Sequence, residues 1–415
     1  MISSEAVRLK ISPAAAGFHF FTHNFIIDKT RVLYYNVLKH RGRKMKRIDE
    51  IKLKSNIERR INSDIEKNLV GGACVLVKQN GVTVYENAFG VKDHNTNEPL
   101  RTDAVFRLAS MTKPVTAVAV LIQVSRGIVG LYDPIEKYLP AYAQMDIGKL
   151  DEKGNIVNIG KAKNKLRVIH FLTHSSGVGT HDVGDKFIST MPKEKFASLK
   201  DVVDHHADCP LAFEPNSSQY YSPLVGFDVL ARIVEISSGM SYDKFLEKEI
   251  FTPLGMYETT YTPSDELCKR LVSIHDIKDG KSVSAENAQP YKPFYFSGGA
   301  GLVSTIHDYS KFAEMLLNGG LLPDELMFAM TRPQLPYHIM PGNQIWGLGM
   351  RVITDDSYKL LPKNSFGWSG AHGTHFWVDP NNKITAVYMK NSRYDGGAGA
   401  TTANNFEEDV TSSLE

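Results

Sequence analysis

The chain is poor in cysteine: Cys74, Cys209 and Cys268 are the only three in 415 residues. They are too few and too scattered for a disulfide framework, and they lack the paired spacing of a zinc site. They read as reduced core residues of a cytoplasmic protein. No uninterrupted apolar run approaches the ~20 residues of a membrane span. No G-x-S-x-G occurs, which removes the nucleophile elbow of the α/β-hydrolases. No H-E-x-x-H occurs either, although the chain holds 14 histidines. His372 and His375 would face opposite sides of a regular strand, and the adjacent His205 and His206 diverge on a helix, so neither pair is expected to share an ion. No metal and no other cofactor is expected.

Little net charge is left over: 48 Lys/Arg against 46 Asp/Glu give +2. Its distribution is uneven. Residues 1–47 contain ten Lys/Arg and two acids, so this tail carries +8 and the remainder −6. A mildly acidic body has no electrostatic footprint for nucleic acid. The most apolar part of the tail, Ala14 to Ile27, is broken by His19, His23 and Asn24 and precedes no small-residue cleavage site. Residues 1–48 read as a disordered or non-native leader, with Met45 as an alternative start and a basic membrane-surface arm as the rival reading. No stable membrane insertion is expected, and the oligomeric state is open.

The rest of the chain has ordinary globular composition, 42% hydrophobic and 23% charged. Residues 49–69 have amphipathic helical spacing. Gly72 to Lys78 and Val82 to Phe89, joined across Asn80-Gly81, read as a hairpin. From about 135 to 285 helical patterns dominate: Val168 to Thr173, Leu199 to His206, Pro223 to Ser237 and Tyr242 to Ile250. A further helix spans Ile306 to Leu317. A second hairpin joins Thr374 to Val378 with Ile384 to Lys390. Strands at both ends with helices between them predict an α+β fold, in which an antiparallel sheet is flanked by helices. Its lobe is built from 49–134 and 286–415, with an inserted, mostly helical lobe from 135–285 and the active site between them.

The chemistry centres on Arg107-Leu108-Ala109-Ser110-Met111-Thr112-Lys113. Residues three apart on a helix share a face, so Lys113 can reach Ser110. The helix N-terminus offers unpaired N–H groups to an oxyanion. The run that follows is apolar almost all round, and desolvation lowers a lysine pKa and suits it to act as a base. Spacing alone is weak evidence, because Ser241-Tyr242-Asp243-Lys244 repeats it on a polar segment, where a helix cap is the expected reading. Two further stretches add weight. Tyr220-Tyr221-Ser222-Pro223 supplies tyrosines, which beside a lysine cation can act as a general base; the bland alternative is lobe packing. Gly367-Trp368-Ser369-Gly370-Ala371-His372-Gly373 lets a ligand approach the backbone; the alternative is an edge strand with room for Trp368.

Together these stretches resemble the serine β-lactamase and penicillin-binding-protein-like hydrolases, especially the class C β-lactamase-like esterases called family VIII. Ser110-Met111-Thr112-Lys113 matches S-x-x-K, Tyr221-Ser222 matches the Y-x-N or Y-S-x element, and Trp368-Ser369-Gly370 falls where other members have K-T-G, H-x-G or W-x-G. Leu172 to Gly177, Phe251 to Met256 and Gly301 to Thr305 agree too, and the likeness runs from about 60 to 395. The resemblance implies Ser110 as nucleophile, Lys113 and Tyr221 as proton carriers, and the backbone N–H groups of Ser110 and Ala371 as the oxyanion hole. It implies a pocket lined by Trp368, Ser369, Gly370 and His372. His174, His372 and His375 are candidates to border it, against a structural hydrogen bond for each. Pro223 replaces the asparagine of Y-x-N, and Trp368 replaces a cationic or imidazole side chain that would hold a β-lactam carboxylate. The expected activity is therefore carboxylic ester hydrolysis of a small molecule. β-Lactamase or D-amino-acid peptidase, acyltransferase, and a catalytically silent binding protein are the alternatives.

Overall fold

The computed structural model describes residues 45–190, 198–286 and 293–415. The expectations for residues 1–44 lie outside the described residues. Helix α1 (Glu50–Glu66) is opened by Asp49, whose carboxylate accepts the N–H groups of Ile51 and Lys52. Such a cap is worth about 1 kcal/mol. Leu53, Ile57 and Ile61 recur at helical spacing and form its buried face. Strands β1 (Gly72–Gln79) and β2 (Val82–Asp93) turn at Asn80 and Gly81, both at the positive φ that a two-residue hairpin needs. A short β3 (Glu98–Pro99) follows.

The Ser110 stretch is tighter than the helical spacing predicts. Ala109–Met111 form a single 3₁₀ turn, and helix α2 (Thr112–Ser125) begins two residues after Ser110. Every residue from Thr112 to Gln123 is buried. Each fully buried Val, Leu or Ile contributes roughly 1.5–3 kcal/mol, which makes α2 a central pillar.

Between 135 and 285 the helices include Val168–Leu172, His181–Ser189, Leu199–His206 and α3 (Val225–Ser238). The helix expected over Tyr242 to Ile250 is α-helical to Leu246 and widens into a π turn over Glu247–Phe251. Two small hairpins also occur here, Asp146–Leu150 with Ile156–Lys161 and Ile274–Lys278 with Lys281–Glu286. Helix α4 (Ile306–Asn318) leads into β4 (Gln344–Trp346), β5 (Arg351–Ile353), β6 (Phe366–Ser369), β7 (His375–Asp379), β8 (Ile384–Met389) and helix α5 (Thr401–Thr411).

The main sheet runs β4-β5-β6-β7-β8-β1-β2-β3, and its pairings are antiparallel. β1 lies beside β8, with Cys74 opposite Met389, so strands from both halves of the chain meet at its centre. Side chains alternate between the two faces. Val75, Trp377 and Tyr388 pack with Leu53 and Ile57 of α1 and Phe406 of α5. Leu76, Phe366, Phe376 and Val387 face the opposite way, toward Val118 of α2 and Phe312 of α4. The described ends are laced together: Asp49 N–H donates to Ser413 O at 2.9 Å and Glu415 N–H to Arg47 O at 2.9 Å. No helix among the described residues is long and apolar enough to cross a membrane.

Candidate active site

Ser110 is delivered by a strained turn. Ala109, immediately before it, has φ +45°, a left-handed conformation that costs a β-carbon residue about 1–3 kcal/mol. Thr112 opens α2 and Lys113 lies on its first turn, fully buried. Lys113 Nζ lies 3.1 Å from Ser110 Oγ, 2.6 Å from Pro223 O and 2.9 Å from Gly299 O. Tyr221 OH lies 2.7 Å from the same Ser110 oxygen. One hydroxyl therefore sits between an amine and a phenol.

Hydrogen counting restricts what this triangle does. The two carbonyls only accept, so each takes one hydrogen from Nζ. In a neutral amine nothing but the lone pair is left for Ser110. In an ammonium the third hydrogen points there instead. The same two carbonyls thus aim Lys113 at Ser110 in both protonation states.

Residues absent from the expected site hold this arrangement. Asp228, buried on α3, accepts from Ser297 Oγ at 2.5 Å, Tyr295 OH at 2.8 Å and Gly299 N–H at 3.3 Å. It fixes the loop whose Gly299 carbonyl receives Lys113. Burial pushes the Asp228 carboxyl up, opposed by these hydrogen bonds and by Lys113. Thr116, one turn along α2, anchors the same loop through Gly298 O at 2.6 Å. No sequence signal marks the carbonyls, because every residue has one. Asp228 is the acid on the apolar, buried face of α3, whereas Glu235 is not buried, and that was the available signal.

Tyr221 is clamped from both sides. Thr180 Oγ1 donates to its carbonyl at 2.8 Å, and His174 Nδ1 accepts the Ser222 N–H at 3.0 Å. The His174 ring packs on Tyr221 at 4.6 Å and on Trp346 at 4.4 Å between centroids. Burial, then the charge of Lys113, holds its pKa well below the ordinary value. A neutral His174 with Nδ1 accepting carries its hydrogen on Nε2. Trp346 and Trp368 pack at 4.5 Å, and Trp368 reaches Tyr221 at 5.4 Å. Leu335, Ile339 and Met340 complete this apolar wall. Trp346 was missed because its strand has only three residues, too short for a pattern.

The turn after β6 is pressed onto the segment that leads to Ser110. Thr374 Oγ1 donates to Leu108 O at 2.9 Å, and a Cβ added to Gly370 would stand 2.2 Å from that carbonyl. Only glycine permits this approach. Ala371 is exposed on the turn, and His372 is half-buried with its carbonyl accepting from Ser392 N–H at 2.9 Å. Ser369 departs from the expected pocket. Trp368 and Ser369 alternate on β6, so Ser369 points to the other face, where its hydroxyl is buried against His375 Nδ1 at 2.8 Å. His375 follows it and does not border the aromatic wall. The second S-x-x-K match is inert: Ser241 stands at the cap position without a cap bond, and Lys244 pairs with Glu247 at 2.7 Å in solvent. Among the described residues no group of three or more His, Cys, Asp or Glu is arranged to hold a metal ion.

The chain is 28% identical over 386 residues to esterase EstB of Burkholderia gladioli, covering 86% of this chain and 94% of that protein. It is 32% identical over 344 residues to penicillin-binding protein 4* of Bacillus subtilis, covering 80% of this chain and 70% of that one. Among solved structures it is similar to EstCE1, described as a hydrolase with promiscuous acyltransferase activity. The TM-score is 0.72 at 20% identity, over 87% of this chain and 99% of that one. The beta-lactamase family model matches residues 57–407, and the chain belongs to that family.

Proposed function

We propose that the protein is a serine hydrolase that cleaves carboxylic esters through a Ser110 acyl-enzyme. The observation that carries this reading is the bonded set Tyr221–Ser110–Lys113, with Lys113 aimed by two carbonyls. Ser110 Oγ attacks the ester carbonyl carbon as its proton moves to Lys113. The Ser110 and Ala371 N–H groups receive the oxyanion, a contribution of about 2.7–4 kcal/mol for each donor. Tyr221 delivers a proton to the departing alkoxide, which leaves as the alcohol. Water then attacks the acyl-enzyme and gives its proton to Tyr221, and the acid departs as Lys113 returns its proton to Ser110.

Two features favour esters over penicillins. Pro223 offers its carbonyl to Lys113 and no side-chain donor to an amide, and Trp368 stands in the aromatic wall in place of a cation. The similarity to EstB points the same way. The three buried free thiols support a reducing, cytoplasmic location.

Short- and medium-chain p-nitrophenyl esters and a chromogenic cephalosporin, with intact-protein mass spectrometry, test this reading. Ester turnover and a Ser110 adduct are expected in the wild type and neither in Ser110→Ala. Tyr221→Phe is expected to lose at least about a hundredfold in turnover. Unchanged ester turnover in Ser110→Ala would sink the mechanism, and rapid cephalosporin opening with negligible ester cleavage would replace it with β-lactamase activity. An added alcohol that raises p-nitrophenol release while forming a new ester would extend it to acyl transfer.

A further inference from the structure

On the far face of β6 and β7 a chain of buried polar groups has no part in these steps. Ser369 and His375 are the last cross-strand pair below the turn that carries Ala371. Ser369 Oγ lies 2.8 Å from His375 Nδ1. His375 Nε2 lies 3.2 Å from Glu407 Oε1 on α5, an electrostatic contact without hydrogen-bond geometry. Glu407 in turn accepts from Arg351 Nη2 at 2.5 Å and Tyr358 OH at 2.7 Å. Ser369, His375 and Glu407 are 4%, 1% and 0% exposed.

Burying such groups costs free energy, and an apolar pair would close a hairpin equally well. What the polar chain adds is direction. The nearby carboxylate favours the His375 tautomer with its hydrogen on Nε2, which leaves Nδ1 to accept from the Ser369 hydroxyl. The Ser369 hydroxyl is then held in one arrangement against His375 Nδ1, and Glu407 is held by Arg351 and Tyr358. Gly370 is equally fixed: its N–H donates to Thr374 O at 2.7 Å, and its carbonyl accepts from Gly373 N–H at 2.9 Å and Gly397 N–H at 2.9 Å. A shift at Ser369 is therefore carried through Gly370 into Ala371.

We propose that Ser369, His375 and Glu407 are positioning residues, a relay from the C-terminal helix that fixes the turn so that the Ala371 N–H meets the developing oxyanion beside Ser110. The inference rests on the roles assigned above to Ser110 and Ala371. Oxyanion donors act only when aligned with the transition state, so a loosened relay lowers turnover more than substrate affinity.

The test is steady-state hydrolysis of p-nitrophenyl butyrate by wild type, Ser369→Ala and Ser369→Thr, with mass spectrometry of the Ser110 adduct. Ser369→Ala is small and leaves the Arg351–Glu407 pair intact. Its kcat is expected to fall about tenfold with KM within about twofold, while Ser369→Thr, which restores a hydroxyl, stays within about threefold of wild type. An unchanged kcat in Ser369→Ala, or the same loss in Ser369→Thr, overturns the relay. If wild type forms no Ser110 adduct, the esterase reading itself fails. If wild type and Ser369→Ala form the adduct at equal rates, the relay alone fails.

Discussion

A lysine with two carbonyl partners has little freedom, and that is the main lesson at the scale of the residue. The Ser110–Lys113 pair was legible in the sequence because it depends on local spacing. Its aim was not, since Pro223 and Gly299 contribute backbone oxygens. Pro223 looked like a deficit, the loss of an asparagine side chain, yet its carbonyl makes the shortest bond to Lys113. Asp228 steadies the residue that bears the other carbonyl by accepting the Gly299 N–H. Asp228→Asn keeps the volume but replaces acceptor oxygens with an amide and removes a buried charge near Lys113. Its kcat is expected to fall about ten- to a hundredfold, with the acylation burst slowed more than deacylation. Stopped-flow p-nitrophenol release checks this, and an undiminished burst rate would return Asp228 to a purely structural role.

Among the elements, the β6–β7 hairpin joins the aromatic wall to the Ser110 turn. β7 was readable from the hairpin signature that joins it to β8, and β6 as a glycine-bearing strand, but their pairing with each other was not. The motif reading grouped Ser369 with Trp368 in one pocket, whereas the pleat of β6 turns Ser369 to the opposite face. The small hairpins at 146–161 and 274–286 escaped because their strands are short and rich in lysine, glycine and asparagine. Gly370 is the position where element packing meets chemistry. In Gly370→Ala the new methyl would stand 2.2 Å from Leu108 O and Thr374 Oγ1, both on backbone or turn segments that cannot easily retreat. A loss of about 1–3 kcal/mol in urea unfolding is expected from the overpacking, with ester turnover reduced by more than about tenfold. Wild-type turnover in that variant would mean that the turn and the nucleophile are not coupled.

For the whole molecule, the sheet built from both halves of the chain was foreseeable from the two hairpins, but the central β1–β8 pairing is a long-range register that no local pattern encodes. The Arg351–Glu407 pair was equally invisible, since it joins positions 56 residues apart. It has a consequence for acid stability. Although burial alone would push the Glu407 carboxyl up, Arg351 and His375 hold it at about 2 against an ordinary 4.5. Its stabilisation, on the order of 3 kcal/mol, is complete above the unfolded value and lost as pH falls from about 4.5 toward 2. Asp228, pushed up by burial, acts with the opposite sign. Urea unfolding between about pH 6 and about pH 3 is expected to show a steep acid limb that is shallower in Glu407→Gln. Equal slopes would remove Glu407 as its cause.

The lacing of Arg47–Asp49 to Ser413–Glu415 makes the described chain nearly a closed loop. Topologically, its start and finish are interchangeable with any exposed turn. A circular permutant that joins Glu415 to Lys46 through a short linker and opens between the exposed Glu152 and Lys153 cuts no hydrogen bond of the main sheet. It is expected to fold and to keep its esterase turnover within a few-fold. The order in which the ribosome makes the segments would then be immaterial to the site they assemble.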